Sequence, residues 1–519
     1  MIAKKLLLGI DLGTMLIKAI LFTTNGEEVC SAEKEVEVEY PYPGWAEQDP
    51  EYIWNSTVEV LRKLIKTHNI NAHQIVGVSL TGQMHGTFLV DNKGKPVRRK
   101  AIIWLDTRSK QILDELYKKG LADKIYDISC WKPITSMQLM HLIWLKRNEP
   151  DILNKTSHLL TCKDYIRMRI TGNAATDITD ASVTGIMDTS KLRWSEDICQ
   201  EFGIPMKILP EILKPWDLAG YVTKEAEKET GLLEGTPVAV GAGDICATAL
   251  GAGAIDTGQL TAIIGTAGIY ELAVDKLIPD NERRYSIACH AVPGMWLLEA
   301  VQMTAGASLR WFKDVFCKEE LMEAEKSGVS VYSIIDKKAM EIPPGAHGVI
   351  FHPFLQGERS PFVNPNARGM FFGLRLNTKK GDIIKAVLEG VAFSALDNIE
   401  LFRKKGLNIK EVRMVGGGAK SIIWPQIFAD VLNVPISITK IKDCGALGAA
   451  IEASIVAGIF KRIDEAVKRM VIIEREIQPR PKYVKIYEEL FHVYREIYKN
   501  IWNIWDKIDN IQTKLMEVF

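Results

Sequence analysis

The chain opens with an apolar run at 6–10, a short polar and small-residue group Asp11-Leu12-Gly13-Thr14, and a second apolar run at 17–22 closed by Asn25-Gly26. Asn-Gly after a strand-like run is a hairpin signal, so the Gly-Thr turn is expected to join two antiparallel strands rather than lead into a helix. Asp49-Pro50-Glu51 predicts a helix start, with Asp49 as N-cap and proline in the first turn. Ile53, Trp54, Val58, Leu61, Leu64 and Ile65 carry that helix on at the 3.6-residue period. Strand-like runs at 75–80 and 101–104 alternate with helical stretches, which is an α/β pattern.

Near residue 235 the pattern restarts. Thr236-Pro237 leads a strand at 238–240, a glycine-rich turn follows, and 247–253 reads as a small-residue helix. The apolar run 259–264 then ends in Gly265-Thr266. Gly13-Thr14 and Ile17 align with Gly265-Thr266 and Ile269, an echo placed where a duplicated domain would begin. Farther on, Asp382 is expected to cap a long amphipathic helix through Leu401. Gly390 in its middle implies close packing on a neighbour, since an unneeded helical glycine costs about 1 kcal/mol. From Pro481 onward Tyr, Lys and Glu recur at helical spacing, predicting a terminal amphipathic helix.

Composition narrows the class. A chain of 519 residues, 47% hydrophobic and 25% charged, is a globular protein of about three domains or two large ones, not a disordered or fibrous one. Lys+Arg and Asp+Glu both number 65, so nothing in the charge favours nucleic acid or anionic lipid. The eight cysteines form no CxxC and the nine histidines no HExxH, which argues against a zinc centre. Sparse cysteines in so large a chain suggest a reducing compartment. The first apolar run is too short for a signal peptide, and the apolar stretch 237–268 carries Asp244 and Asp256 and does not read as a membrane span. A cytoplasmic location is expected.

Nucleotide fingerprints of the common kinds are absent. Gly416-Gly417-Gly418-Ala419-Lys420-Ser421 lacks the glycine a Walker loop needs before its lysine, and no GxGxxG follows a strand into a helix. What remains is three glycine-rich turns, at 11–14, 265–268 and 416–418, each directly after an apolar strand. Glycine lets a phosphate approach backbone N–H groups and threonine adds a hydroxyl. Taken singly, a tight turn is the commoner reading of each. Asp11 would lie beside any phosphate held by the first turn and is a hard oxygen ligand suited to Mg²⁺. Asp244 could project into a cleft, or could simply cap a helix beginning near Ile245, which is the commoner case. Gln83-Met84-His85-Gly86 ends a strand, where a lone histidine is more often structural. Trp104, Asp106 and Arg108 offer a ring, a carboxylate and a guanidinium for sugar hydroxyls, or an ordinary surface ion pair worth at most about 1 kcal/mol.

Taken in order, the motifs Gly9-Ile10-Asp11-Leu12-Gly13-Thr14, Gly82-Gln83-Met84-His85-Gly86, Trp104-x-Asp106-x-Arg108, Gly243-Asp244, Gly265-Thr266 and Gly357-Glu358-Arg359-Ser360-Pro361 resemble the FGGY carbohydrate kinases. So do Gly369-Met370-Phe371-Phe372-Gly373-Leu374, Gly416-Gly417-Gly418 and Ala446-Leu447-Gly448-Ala449-Ala450. The resemblance spans about residues 6–460, and Gln-Met-His-Gly is most similar to the xylulokinase branch. Leu309-Arg310-Trp311-Phe312-Lys313-Asp314-Val315-Phe316-Cys317 also resembles the autoinducer-2 kinase branch.

The resemblance implies an α/β protein of two actin/hexokinase-like (ribonuclease H-like) domains flanking a deep catalytic cleft. The sugar-binding domain would span 1–251, and the ATP-binding domain with its terminal helix 252–519. It implies ATP- and Mg²⁺-dependent phosphorylation of a sugar hydroxyl, with D-xylulose going to D-xylulose 5-phosphate. Gluconate, ribulose, erythritol or autoinducer-2 are the alternatives within the class, and an actin-like nucleotide-driven assembly protein is the alternative outside it. By the same resemblance Asp244 is the general base and Asp11 the catalytic carboxylate that holds Mg²⁺. Gln83, Met84, His85, Trp104, Asp106, Arg108 and Asp244 bind substrate, while Gly13, Thr14, Lys18, Gly265, Thr266, Gly306, Arg310, Gly417 and Gly418 bind nucleotide. Ile245 stands where relatives often carry a sugar-binding Asn or Gln, and Ile422 where many have an adenine-facing Asn. The partners implied are a small sugar and ATP, with no nucleic acid or membrane; homodimers are common in such proteins.

Overall fold

The first apolar run forms the strand Leu6–Leu12, almost wholly buried, and the second forms Leu16–Thr23, paired antiparallel to it across the Gly13-Thr14 turn. These elements come from a computed structural model that describes residues 5–518. The Asn25-Gly26 turn sends the chain back as Glu28–Glu35, antiparallel to Leu16–Thr23 and exposed on alternate residues, as an edge strand should be. On the other side Ile75–Gly82 runs parallel to Leu6–Leu12, Pro237–Ala239 parallel to Ile75–Gly82, and Leu218–Tyr221 closes the six-stranded sheet antiparallel.

The second half repeats this order. Gln259–Ile264 pairs antiparallel with Gly268–Val274, which has Trp296–Gln302 on its far side. Glu411–Val415 runs parallel to Gln259–Ile264, Ile436–Thr439 parallel to Glu411–Val415, and Ile473–Ile477 closes the edge antiparallel. Apart from Ser286–Cys289, an extra strand at one edge of the seven-stranded second sheet, the strand order is the same in both. From the Gly-Thr hairpin to the closing edge the pairings run antiparallel, parallel, parallel, antiparallel in each, which makes the Gly-Thr echo a structural duplication. The fold is two-domain α/β, as expected.

The helix expected at Asp49 spans Pro50–Thr67, and the Asp49 carboxylate accepts the Glu51 and Tyr52 N–H groups. Other boundaries differ from expectation; the strand read at 238–240 is Pro237–Ala239 and the helix read at 247–253 is Asp244–Ala252. The 101–104 strand shrinks to Ala101–Ile102, because the chain turns at Ile103, whose carbonyl accepts the Asp106 N–H at 3.0 Å. The long helix is Lys380–Arg403; Asp382 is its third residue and reaches back to the Lys379 N–H at 2.7 Å. The terminal helix breaks at Ile501 into Pro481–Asn500 and Trp502–Val518. Gly390 behaves as predicted: a Cβ there would lie 2.2 Å from the Phe351 carbonyl oxygen.

Packing divides the chain differently from a single boundary at 251. One compact unit takes 1–255, 274–297 and 443–472, the other 256–273, 298–442 and 473–519. The late segment joins the first unit because Cys444–Val456 lies directly on it. A Cβ on Gly9 would meet the Ala446 oxygen at 2.1 Å, one on Gly251 the Cys444 oxygen at 1.9 Å, and one on Gly448 the Ala247 oxygen at 2.0 Å. The small-residue motif at 446–450 thus allows this helix to touch both Leu6–Leu12 and Asp244–Ala252 through backbone. Among the described residues no helix is long and apolar enough to cross a membrane.

Candidate active site

Three parallel strands of the first unit end side by side, and their carboxyl ends carry most of the sugar-side candidates. In open α/β sheets this edge is where ligands bind. Gly82 bridges to Gly243, and the Gln83 N–H donates to the Leu12 carbonyl at 3.0 Å, so Asp11–Thr14, Gln83–His85 and Asp244 are brought together. Met84 is buried against Gly243, where a Cβ would collide with its thioether at 2.5–2.7 Å. His85 sits at φ 66°, in the left-handed region, with its ring 5.7 Å from that of Trp131. The loop is braced by Gln138, whose Nε2 donates to the Gly86 carbonyl at 2.6 Å.

Thr14 ties the first glycine-rich turn to Trp104 and Gln83. Its hydroxyl accepts from Trp104 Nε1 at 2.7 Å and donates to Gln83 Oε1 at 3.4 Å. Gln83 Nε2 donates to Gln48 Oε1 at 2.7 Å, and Gln48 Nε2 to the Thr14 carbonyl at 2.8 Å. Gln48 carried no signal in the sequence. Trp104 is 44% exposed.

Asp244 opens the helix Asp244–Ala252 as its first residue; the flanking position is Gly243, so the simple N-cap reading does not describe it. Its Oδ1 accepts the Ile245 N–H at 2.8 Å. Asp244 is half-buried at the start of this helix.

Asp106 and Arg108 are not presented in the same way. Asp106 is fully buried, its oxygens taken by the Ala46 N–H at 2.6 Å, the Arg108 N–H at 2.8 Å and the Arg108 guanidinium at 2.8–3.0 Å. Arg108 also reaches Glu47 Oε1 at 2.6 Å and lies 3.7 Å from the centre of the Trp45 ring. Neither surface ion pair nor accessible sugar ligand describes this group: it is a buried brace below Trp104.

Asp11 faces Lys18 across the hairpin register. Burial pushes its pKa up to about 6, Asp443 adds to the rise, and Lys18 opposes it. Lys18 itself binds Asp443 at 2.9 Å and Glu33 at 3.3 Å. Two carboxylates beside one ammonium form a hard-oxygen set that fits Mg²⁺, and a like charge that raises a carboxylate's proton affinity also favours a cation there. Another acidic group, Asp164, Asp177 and Asp180, encloses the ammonium of Lys163 instead, at 2.8, 2.6 and 3.0 Å.

The nucleotide-side candidates assemble in the second unit. The Gly265 carbonyl accepts the Gly306 N–H at 2.8 Å, and the Thr266 carbonyl accepts those of Ala305 and Ala307 at 2.9 and 3.1 Å. This seats the start of Gly306–Phe316 on the turn, and Arg310 Nη2 donates to Thr266 Oγ1 at 3.0 Å. A Cβ on Gly306 would lie 2.4 Å from the Gly265 oxygen, so only glycine permits this docking. The Gly417–Lys420 turn packs on the same strand end: Cβ atoms on Gly416 and Gly418 would meet Ile264 at 2.8 and 2.4 Å. Beside it Ile422 is 62% exposed, while its N–H is held by Asp336 at 2.8 Å. Glu358, of the Gly-Glu-Arg-Ser-Pro motif, accepts the Met303 N–H at 3.0 Å and so fixes the loop leading into Gly306; burial pushes its carboxyl up to about 8.

Comparison with known proteins identifies the family. The model of the FGGY carbohydrate kinase N-terminal domain matches residues 6–251 and that of the C-terminal domain residues 262–457. The xylulose kinase of Bacillus subtilis is 33% identical over 494 residues, covering 95% of this chain and 97% of that protein. Among solved structures, a ligand-bound xylulose kinase from Lactobacillus acidophilus superposes with a TM-score of 0.89 at 27% identity, covering 97% of this chain and all of the other. A gluconate kinase from the same species gives the same values. Two family models covering most of the chain, with one strand order built twice and a glycine-rich turn at each strand end, establish that this chain belongs to the FGGY family of carbohydrate kinases.

Proposed function

We propose that this kinase transfers the γ-phosphoryl group of ATP to the terminal hydroxyl of D-xylulose, giving D-xylulose 5-phosphate. The observation that carries the reading is the convergence of Asp244 with Gln83-Met84-His85 and the Thr14–Trp104 pair at one sheet edge. In this reading residues 1–251 hold the sugar and 252–519 the ATP. Phosphoryl transfer needs in-line positioning and charge neutralisation rather than covalent chemistry from the protein. Asp244 takes the proton of the attacking hydroxyl. His85 and Gln83 orient the sugar by hydrogen bonds, and Trp104 covers one face. The Gly265-Thr266 turn, the N-terminal amides at Gly306 and Arg310 present donors to phosphate oxygens, and Gly417 and Gly418 leave backbone open beneath the nucleoside.

Asp11 with Asp443 would hold Mg²⁺, which neutralises phosphate charge when bound. Because the Asp11 pKa is raised to about 6, the folded chain binds this proton more tightly than the unfolded chain does. Its stabilising contribution is therefore full below the ordinary value of 3.8 and is lost as pH rises through 6. Mg²⁺ must displace that proton, so Mg²⁺ affinity measured by calorimetry should weaken by up to about tenfold per pH unit below 6. Asp11→Asn should flatten this dependence.

The likeness to a gluconate kinase supports gluconate as a second reading, and a panel of sugars ranked by kcat/KM decides between them. Ile245, half-buried beside Asp244, supplies an apolar wall where a polar contact would discriminate. One lost hydrogen bond costs about 0.5–1.5 kcal/mol. Ile245→Asn should therefore raise kcat/KM on D-xylulose by about threefold to tenfold, whereas His85→Ala should lower it on every accepted sugar. Should Ile245→Asn abolish xylulose turnover while gluconate is the best wild-type substrate, xylulose is the wrong sugar. A cytoplasmic location and assembly as a homodimer belong to the same proposal.

A further inference from the structure

The segment Val240-Gly241-Ala242-Gly243 that delivers Asp244 has no long side chain with which to fix itself. It is gripped from outside instead. Arg167 Nη1 donates to the Val240 carbonyl at 2.7 Å, and the Gly241 N–H donates to the Pro215 carbonyl at 2.8 Å. The Glu452 carboxyl accepts the Ala242 N–H and the Ser79 hydroxyl. The last grip lies next to the catalytic aspartate, where the Gly243 N–H donates to Thr179 Oγ1 at 2.9 Å.

Thr179 is in turn fixed by charge. Its hydroxyl and its N–H both donate to Asp177 Oδ1, the latter at 2.8 Å. Asp177 Oδ2 lies 2.6 Å from the ammonium of Lys163, which also meets Asp164 and Asp180. Arg167 joins the same group through Asp164 at 2.8 Å. All five charged residues are essentially inaccessible to solvent. Burying an ammonium and a guanidinium is unfavourable unless each is closely paired, and packed apolar side chains would serve the fold as well or better. Here the cluster sits directly behind the turn carrying Asp244, and its outermost atom, the Thr179 hydroxyl, holds the amide one residue before that aspartate.

We infer that Thr179, held by Asp177 and Lys163, is a positioning residue for Asp244: it fixes the start of the helix so that the carboxylate stays aimed at the sugar hydroxyl. The inference rests on Asp244 being the general base. A small misplacement of a reacting group costs up to a hundredfold in rate. Losing the hydroxyl should therefore slow transfer without changing how tightly sugar or ATP binds.

Thr179→Val keeps the side-chain shape and removes the oxygen, while Thr179→Ser keeps the oxygen. With the best sugar of the panel, Thr179→Val should lower kcat about tenfold to a hundredfold with both KM values within about threefold of wild type, and Thr179→Ser should stay within about threefold in kcat. Thr179→Val combined with Asp244→Asn should be no slower than Asp244→Asn alone, because a residue acting only through Asp244 has nothing left to position. The inference is overturned if Thr179→Val keeps kcat within twofold, if its effect adds in full to that of Asp244→Asn, or if Thr179→Ser is impaired equally. Thr179→Ala serves as a second variant read at low temperature. Failure of both Val and Ala variants to fold also overturns the inference, since the hydroxyl would then serve the fold. Retained activity in Asp244→Asn, by contrast, would remove the base assignment itself.

Discussion

Asp244→Asn should lower the rate of sugar phosphorylation at least about a hundredfold while the protein stays folded and still binds ATP. The amide is nearly the same shape as the carboxylate but cannot accept the proton of the attacking hydroxyl. A hundredfold loss corresponds to about 2.7 kcal/mol of barrier. The structural cost is much smaller. Asp244 is the first residue of its helix, with Gly243 at the flanking position, and an acidic side chain in a first turn contributes about 0.3–1 kcal/mol. Turnover and unfolding therefore separate the two roles cleanly. A variant that keeps its turnover but unfolds in milder denaturant would show that the carboxylate serves the helix alone.

Asp106→Asn should do the reverse. Asp106 and Arg108 are paired out of contact with solvent, and Arg108 shares its remaining charge with Glu47. Removing Asp106 leaves the buried guanidinium with Glu47 as its one carboxylate, and breaking a buried pair costs up to about 3–5 kcal/mol. Urea unfolding should register that loss. The fraction that remains folded should phosphorylate sugar with kcat and KM close to wild type, because Asp106 only braces the turn below Trp104. A raised KM for sugar with unchanged stability would show instead that Asp106 contacts the substrate.

The contrast between these two aspartates shows where the sequence is legible. Asp244 follows a short apolar strand and a glycine turn, a local pattern that marks a side chain at a sheet edge, and the structure places it there. Asp106 belongs to an equally local motif, but its burial depends on Ala46 and Glu47, about sixty residues away, which no local pattern announces. The duplicated strand–Gly-Thr–strand units were readable because alternation and turn chemistry act over a few residues. So was Gly390, whose presence within a helix needed a packing reason. Asp443 was not readable as a partner of Lys18: 425 residues separate them, and only the docking of Cys444–Val456 onto the first sheet brings them together. The Lys163 cluster was missed for a related reason. Its helix, Cys162–Thr171, has charges on faces that are nearly all buried, so the usual reading of charge as a solvated face fails there. The one available clue was the run of acidic and hydroxyl residues at 176–180, which offers more polar groups than a surface turn requires.

The measurement that bears most directly on the account is the fate of the γ-phosphoryl group when the protein is given Mg-ATP with D-xylulose, followed by ³¹P NMR alongside ADP release. The account predicts ADP release that depends on the sugar, with one D-xylulose 5-phosphate formed for each ADP and little free phosphate. Phosphorylation of gluconate or another polyol with xylulose left unreacted would contradict the substrate. Sugar-independent turnover to free phosphate across the whole panel would contradict the assignment of Asp244 and its neighbours as the sugar-phosphorylating site.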